Sequence, residues 1–87
     1  MLASCGEIFS LKNDTQKVVY VDVIYTGHER RPDPQELIAG QFYSAPSCWK
    51  EVAAVYVGNK PEEVKMANIE HLCSPSSCRC IIDISKM

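Results

Sequence analysis

The residues richest in chemistry lie near the C-terminus, in the run His71-Leu72-Cys73-Ser74-Pro75-Ser76-Ser77-Cys78-Arg79-Cys80. It holds three of the five cysteines and one of the two histidines of the chain. Thiolate and imidazole are the common zinc ligands, and paired thiols make disulfides. A zinc reading takes His71, Cys73, Cys78 and Cys80 as the ligand set. Its spacing is imperfect, because structural zinc sites draw ligand pairs from knuckles with about two to four intervening residues. Cys73 and Cys78 satisfy that pattern; Cys78 and Cys80 do not, and no second cysteine pair lies elsewhere.

Two further readings compete. A hairpin closed by Ser74-Pro75-Ser76-Ser77 would set Cys73 opposite Cys78 and His71 opposite Cys80, close enough for a disulfide or a shared metal. Strand parity points another way. Cys78, Cys80, Ile82 and Ile84 share one face of an extended chain, while Ser77, Arg79, Asp83 and Ser85 share the other. Reduced cysteine packs as a small hydrophobe, so inert core thiols are the favoured expectation, ahead of a disulfide and of a metal. Five cysteines allow at most two internal disulfides and leave one thiol over.

Thiol catalysis is the remaining sharp option. Cys48, beside Trp49 and Lys50 after a proline loop, is the thiol best placed to be exposed, with His28 or His71 as a base. That pairing is only combinatorial. The chain has no Gly-rich phosphate loop, no nucleophile elbow and no His-x-x-x-His zinc helix. A non-enzymatic role is therefore expected.

The elements that must position these residues are mostly extended. Glu7 to Leu11 reads as a short strand, followed by turn chemistry at Lys12-Asn13-Asp14-Thr15. Lys17 to Thr26 is β-branched and aromatic, the strongest strand signal in the chain. Val19, Val21, Val23 and Tyr25 form its core row. Asp22 sits in the other row, where a solvent-facing carboxylate is favoured over a catalytic one. Asp33-Pro34-Gln35-Glu36 has capping-box logic, and Gly40 is a natural C-cap, which predicts a short helix between them. Gln41 to Ser44 reads as extended. A helical turn near Cys48 to Glu51 leads into a strand through Val57, and Gly58-Asn59 ends it. Helical spacing of Met66, Ile69, Leu72 and Cys73 predicts a helix over 62–71. Arg79 to Ser85 closes the chain as a strand.

The expected fold is a small single α+β domain spanning residues 1–87. It has a sheet of three to five mainly antiparallel strands and one or two short helices. The alternative is an all-β, SH3-like barrel in which 64–72 is extended or a single 3₁₀ turn. Apolar residues make up 46% of the chain and charged residues 23%, ordinary globular usage. A net charge of −2 argues against a nucleic-acid surface, since phosphate contacts need clustered cations. The one basic pair, Arg30-Arg31, lies between Glu29 and Asp33.

No apolar run matches a membrane span. Leu2-Ala3-Ser4-Cys5 resembles a bacterial lipoprotein cleavage box, but the charged and apolar regions that precede such a box are missing. With no export signal, a cytoplasmic location and reduced thiols are the default. These readings converge on a non-catalytic binding or interaction module for a protein or small ligand, with homo-oligomerisation as an option. Its binding surface is expected from Tyr25, Tyr43, Trp49 and Tyr56, whose rings join apolar area to a polar tip. No cofactor is expected, with zinc at the His/Cys cluster as the alternative.

Overall fold

A computed structural model describes residues 8–27 and 34–87 of the chain. Seven strands run in order: β1 (Phe9–Lys12), β2 (Val19–Tyr25), β3 (Gln35–Leu37), β4 (Phe42–Ala45), β5 (Val52–Gly58), β6 (Lys65–Ala67) and β7 (Cys80–Asp83). Single 3₁₀ turns at Trp49–Glu51, Pro61–Glu63, Glu70–Leu72 and Ile84–Lys86 are the helical elements among the described residues. The strands form two sheets, in orders β4-β1-β7 and β3-β2-β5-β6. All pairs are antiparallel except β1 with β7. A radius of gyration of 12.6 Å matches the roughly 12 Å of a compact chain this long.

The β2 parity reads through to the structure. Val19 and Val21 are buried, and Val23 packs half-buried against the same core. The core joins these to Phe9 and Leu11 of β1, Val55 of β5, Leu37 of β3, and Cys80 and Ile82 of β7. Ile84, just past β7, is buried as well. Burying each large apolar side chain of this kind stabilises the fold by about 1.5–3 kcal/mol. Of the inward face drawn for Cys78, Cys80, Ile82 and Ile84, the last three are buried and Cys78 is half-buried, with Ile81 pointing out at 51% exposure.

Three expectations give way. The short helix foreseen before Gly40 is instead strand β3, paired with β2 from Val19↔Leu37 to Val21↔Gln35. Asp33 lies outside the described residues, but Glu36 does not cap a helix; its carboxylate accepts a hydrogen bond from Tyr20 across the strand pair. Gly40 does adopt positive φ, at +82°, in the turn between β3 and β4. The helix over 62–71 resolves into a 3₁₀ turn, strand β6 and a second 3₁₀ turn. Edge pairing of Lys65–Ala67 with Val55–Val57 satisfies the backbone there in place of helical bonds. Gly58 explains part of this geometry. A Cβ there would stand 2.5 Å from the Glu63 carbonyl oxygen and 2.8 Å from the Val64 Cα, so only glycine admits the returning chain.

The cysteines are the third. Cys48 bonds to Cys78 and Cys73 to Cys80, with Cα separations of 4.5 and 5.4 Å. Cys73 and Cys80 are buried, as core thiols would be, but they are oxidised. The hairpin that would have joined Cys73 to Cys78 is absent because Glu70–Leu72 turns as 3₁₀ and places Cys73 beside β7 instead. The two bridges interleave in sequence: Cys48–Cys78 ties the β4–β5 connection to the β6–β7 connection, and Cys73–Cys80 ties that second connection to β7.

Candidate ligand groove beside Trp49

A groove opens where β6 parts from β5. The pairing covers only Val55–Val57 with Ala67–Lys65. Beyond it the Asn68 side chain accepts a hydrogen bond from the Glu70 amide at 2.9 Å and turns the chain into the 3₁₀ turn Glu70–Leu72. Val52 to Ala54 are left with a strand on one side only. A register shift at Ile24/Tyr25 adds to this, since Ile24 pairs with Ala54 but Tyr25 with Val52. Ala53 is thus the extra residue of a bulge, and such bulges re-aim side chains and end pairing.

The resulting cavity holds about 530 Å³. One side is β5 from Val52 to Val55, the other runs from Met66 to Glu70, and Trp49 and Lys50 close an end. Ala53 and Ala54 make room because they put a methyl where this strand otherwise carries Val or Tyr. Met66 stands at the rim, 70% exposed.

Trp49 is held on three counts. Its neighbour Cys48 is bonded to Cys78, its backbone amide donates to the Cys78 carbonyl at 3.1 Å, and its indole Nε1 donates to the Ser77 carbonyl at 2.7 Å. The ring also packs against the core. A wall fixed this way loses little freedom when something binds against it.

The four aromatics expected at a binding surface do not form one site. Trp49 lines the groove. Tyr25 and Tyr43 meet hydroxyl to hydroxyl at 2.8 Å, joining β2 of one sheet to β4 of the other. Burial first, and then that hydrogen bond, push the Tyr25 phenol well above its ordinary range, so it stays neutral. Tyr25 also borders a second cavity of about 570 Å³ with Thr26, Ser47, Lys50 and Glu51. Tyr56 lies elsewhere, between Asp22 on β2 and Met66 on β6.

Asp22 is itself a correction. The solvent-facing carboxylate is buried at 8% exposure, and its Oδ2 has no hydrogen-bond partner among the described residues.

The zinc set is not assembled. Cys73, Cys78 and Cys80 are each in a disulfide, whose sulfurs are not thiolate ligands, and His71 is exposed on its 3₁₀ turn. Among the described residues no group of three His, Cys, Asp or Glu side chains is placed to hold a metal ion. Cys48, the candidate nucleophile, carries no thiol here; His28 lies outside the described residues, as does the Leu2–Cys5 box. No helix among the described residues is long and apolar enough to cross a membrane.

Of the residues lining the groove, sequence reasoning placed only Trp49 at a binding surface and missed the rest, Lys50, Ala53, Ala54, Met66 and Asn68 among them. The Ala-Ala pair inside a β-branched run was the one visible signal. Compared with protein-family models, curated proteins and solved structures, the chain matches none.

Proposed function

We propose that this chain is a non-catalytic binding module whose ligand surface is the groove beside Trp49. The observation that carries this is the cavity of about 530 Å³ between β5 and Met66–Glu70, with its aromatic wall fixed in advance. Small-ligand sites are concave, mostly apolar and pre-formed, within about 300–1,000 Å³. The ligand class is a small, largely apolar molecule or an apolar side chain of a protein partner. Asn68, Lys50 and Glu70 supply polar groups at the rim to orient it.

The two disulfides favour a working location in an oxidising compartment over the cytoplasmic one, whose expectation rested on reduced thiols. Self-association is a second reading with an observation behind it. Phe42 and Ile81 are 53% and 51% exposed, and strand register puts both on the outer face of the three-stranded sheet. Light scattering at high concentration tests it, and a clean monomer rejects it.

The groove is tested with anilinonaphthalene sulfonate, a fluorescent apolar anion, against the native protein. Saturable one-to-one binding that Ala53→Leu abolishes, with circular dichroism unchanged, supports the reading. Binding that survives Ala53→Leu, or no binding at all, rejects it.

A further inference from the structure

We infer that Cys48–Cys78 is a reducible latch on Trp49, whereas Cys73–Cys80 is a permanent staple. The two bridges share one small region and differ in access. Cys73 and Cys80 are 6% and 4% exposed and belong to the core cluster. Cys48 and Cys78 are half-buried and stand in connecting segments, between β4 and β5 and just before β7. Thiol–disulfide exchange requires a thiolate to reach one sulfur along the bond, so access governs which bridge reacts.

The chemistry is a two-electron exchange with a dithiol reductant. One thiolate of the reductant attacks a sulfur of Cys48–Cys78 and expels the other as a thiolate, giving a mixed disulfide. The reductant's second thiol then displaces the bound sulfur. Cys48 and Cys78 end as two thiols, having gained two electrons and two protons, and the reductant leaves as its own disulfide.

The consequence falls on Trp49. With the bridge cut, that segment loses its one covalent tie and keeps the hydrogen bonds of Trp49 to Ser77 and Cys78, the bond from the Thr26 amide to the Glu51 carbonyl, and the packing of Trp49 against the core. Cys73–Cys80 still fastens the chain beyond the 3₁₀ turn Glu70–Leu72 to β7, so the core stays assembled. Losing the covalent tie frees Trp49 to move with its segment, and the end wall of the groove moves with it. The effect on the groove rests on the binding reading above; the ranking of the two bridges and the freeing of Trp49 do not.

Trp49 is the chain's one tryptophan, which makes the test direct. The native protein is titrated with dithiothreitol, quenched with iodoacetamide at each step, and mapped by mass spectrometry alongside tryptophan emission and circular dichroism. The expected result is at least tenfold faster alkylation of Cys48 and Cys78 than of Cys73 and Cys80. Trp49 emission shifts to the red in step with it, while the far-ultraviolet spectrum is retained. Cys48→Ser/Cys78→Ser, read at a temperature where it is folded, should show the red-shifted emission without reductant. The inference is overturned if Cys73 and Cys80 react as fast, if Trp49 emission does not move with Cys48 reduction, or if the spectrum collapses with the first bridge. Loss of anilinonaphthalene sulfonate binding on reduction belongs to the groove reading and is scored separately.

Discussion

The side-chain amide of Asn13 donates to the Leu37 carbonyl at 2.8 Å, joining the end of β1 to the end of β3 across the two sheets. The same nitrogen donates to the Lys17 carbonyl at 2.7 Å, and Asn13 Oδ1 accepts from the Thr15 amide. Its backbone takes part as well, giving its amide hydrogen to Gln41 and accepting from Gly40. The residue is fully buried with its polar atoms engaged.

Asn13→Asp is therefore predicted to be more damaging than its size suggests. A carboxylate cannot donate, so two carbonyls, the Leu37 one buried and the Lys17 one partly so, would face an oxygen in place of an N–H. Leaving a buried polar group unsatisfied costs about 1–3 kcal/mol, and more where the group is charged. Urea unfolding should place Asn13→Asp at least about 3 kcal/mol below the parent. A loss under 1 kcal/mol would mean that this junction is not what fixes one sheet on the other.

Asp14, the next residue, reaches the other end of the chain. Its carboxylate accepts from the Ser85 amide at 2.9 Å and from the Ser85 hydroxyl at 2.6 Å. The hydroxyl bond first, and then the amide bond, hold the Asp14 pKa below the usual 3.8. A carboxyl with a depressed folded pKa adds stability above its unfolded pKa, and that stability is lost as pH falls through the folded value. The parent should thus lose stability relative to Ser85→Ala below about pH 4, where the unfolded carboxyl begins to protonate. Parallel thermal melts from pH 6 to pH 2 check this. Curves that stay a constant distance apart would remove the Asp14–Ser85 pair as the cause.

Much of this architecture was legible from residue alternation. Parity along 17–26 and 79–85 needs only the two-residue strand repeat, and Val19, Val21, Cys80 and Ile82 landed inside as that repeat requires. The helices failed where a local signal competed with a distant one. Met66, Ile69, Leu72 and Cys73 have helical spacing, but Val55–Val57 offers Lys65–Ala67 an edge to pair with, and no local pattern reveals that edge. Cysteine pairing was equally hidden. Cys48 and Cys78 are 30 residues apart and meet only because Trp49 and Ser77 lie side by side. The groove was least legible, since it is made by what Ala53 and Ala54 lack.

Asp22 gives a prediction of opposite sign. Its Oδ2 has given up water without gaining a partner among the described residues, and burial of that kind costs about 1–3 kcal/mol. Val fills a similar volume, favours strands, and would pack against Tyr56 across the pair. Asp22→Val should raise the melting temperature by several degrees, at about 4–8 °C per kcal/mol for a domain of this size. If Tm falls instead, the carboxylate has a stabilising role that the geometry around Oδ2 does not display.

The disulfides set stability and access in opposite order. In the loop-entropy account Cys48–Cys78, spanning 30 positions, contributes about 3.7 kcal/mol, and Cys73–Cys80, spanning 7, about 2.5 kcal/mol. The bridge nearer the surface is thus the one whose closure constrains the unfolded chain more. Cys73→Ala/Cys80→Ala carries a further cost, because both side chains are packed in the core and alanine leaves space behind. The two double variants should therefore come out within about 1 kcal/mol of each other despite the difference in loop length. Removing both bridges takes away an amount comparable to the roughly 4–13 kcal/mol available to a domain of this length. Fully reduced protein should then be largely unfolded at 37 °C while each double variant stays folded. Circular dichroism melts of the three species in denaturant decide it, and a fully reduced chain that melts like the parent would show that packing alone sustains the fold.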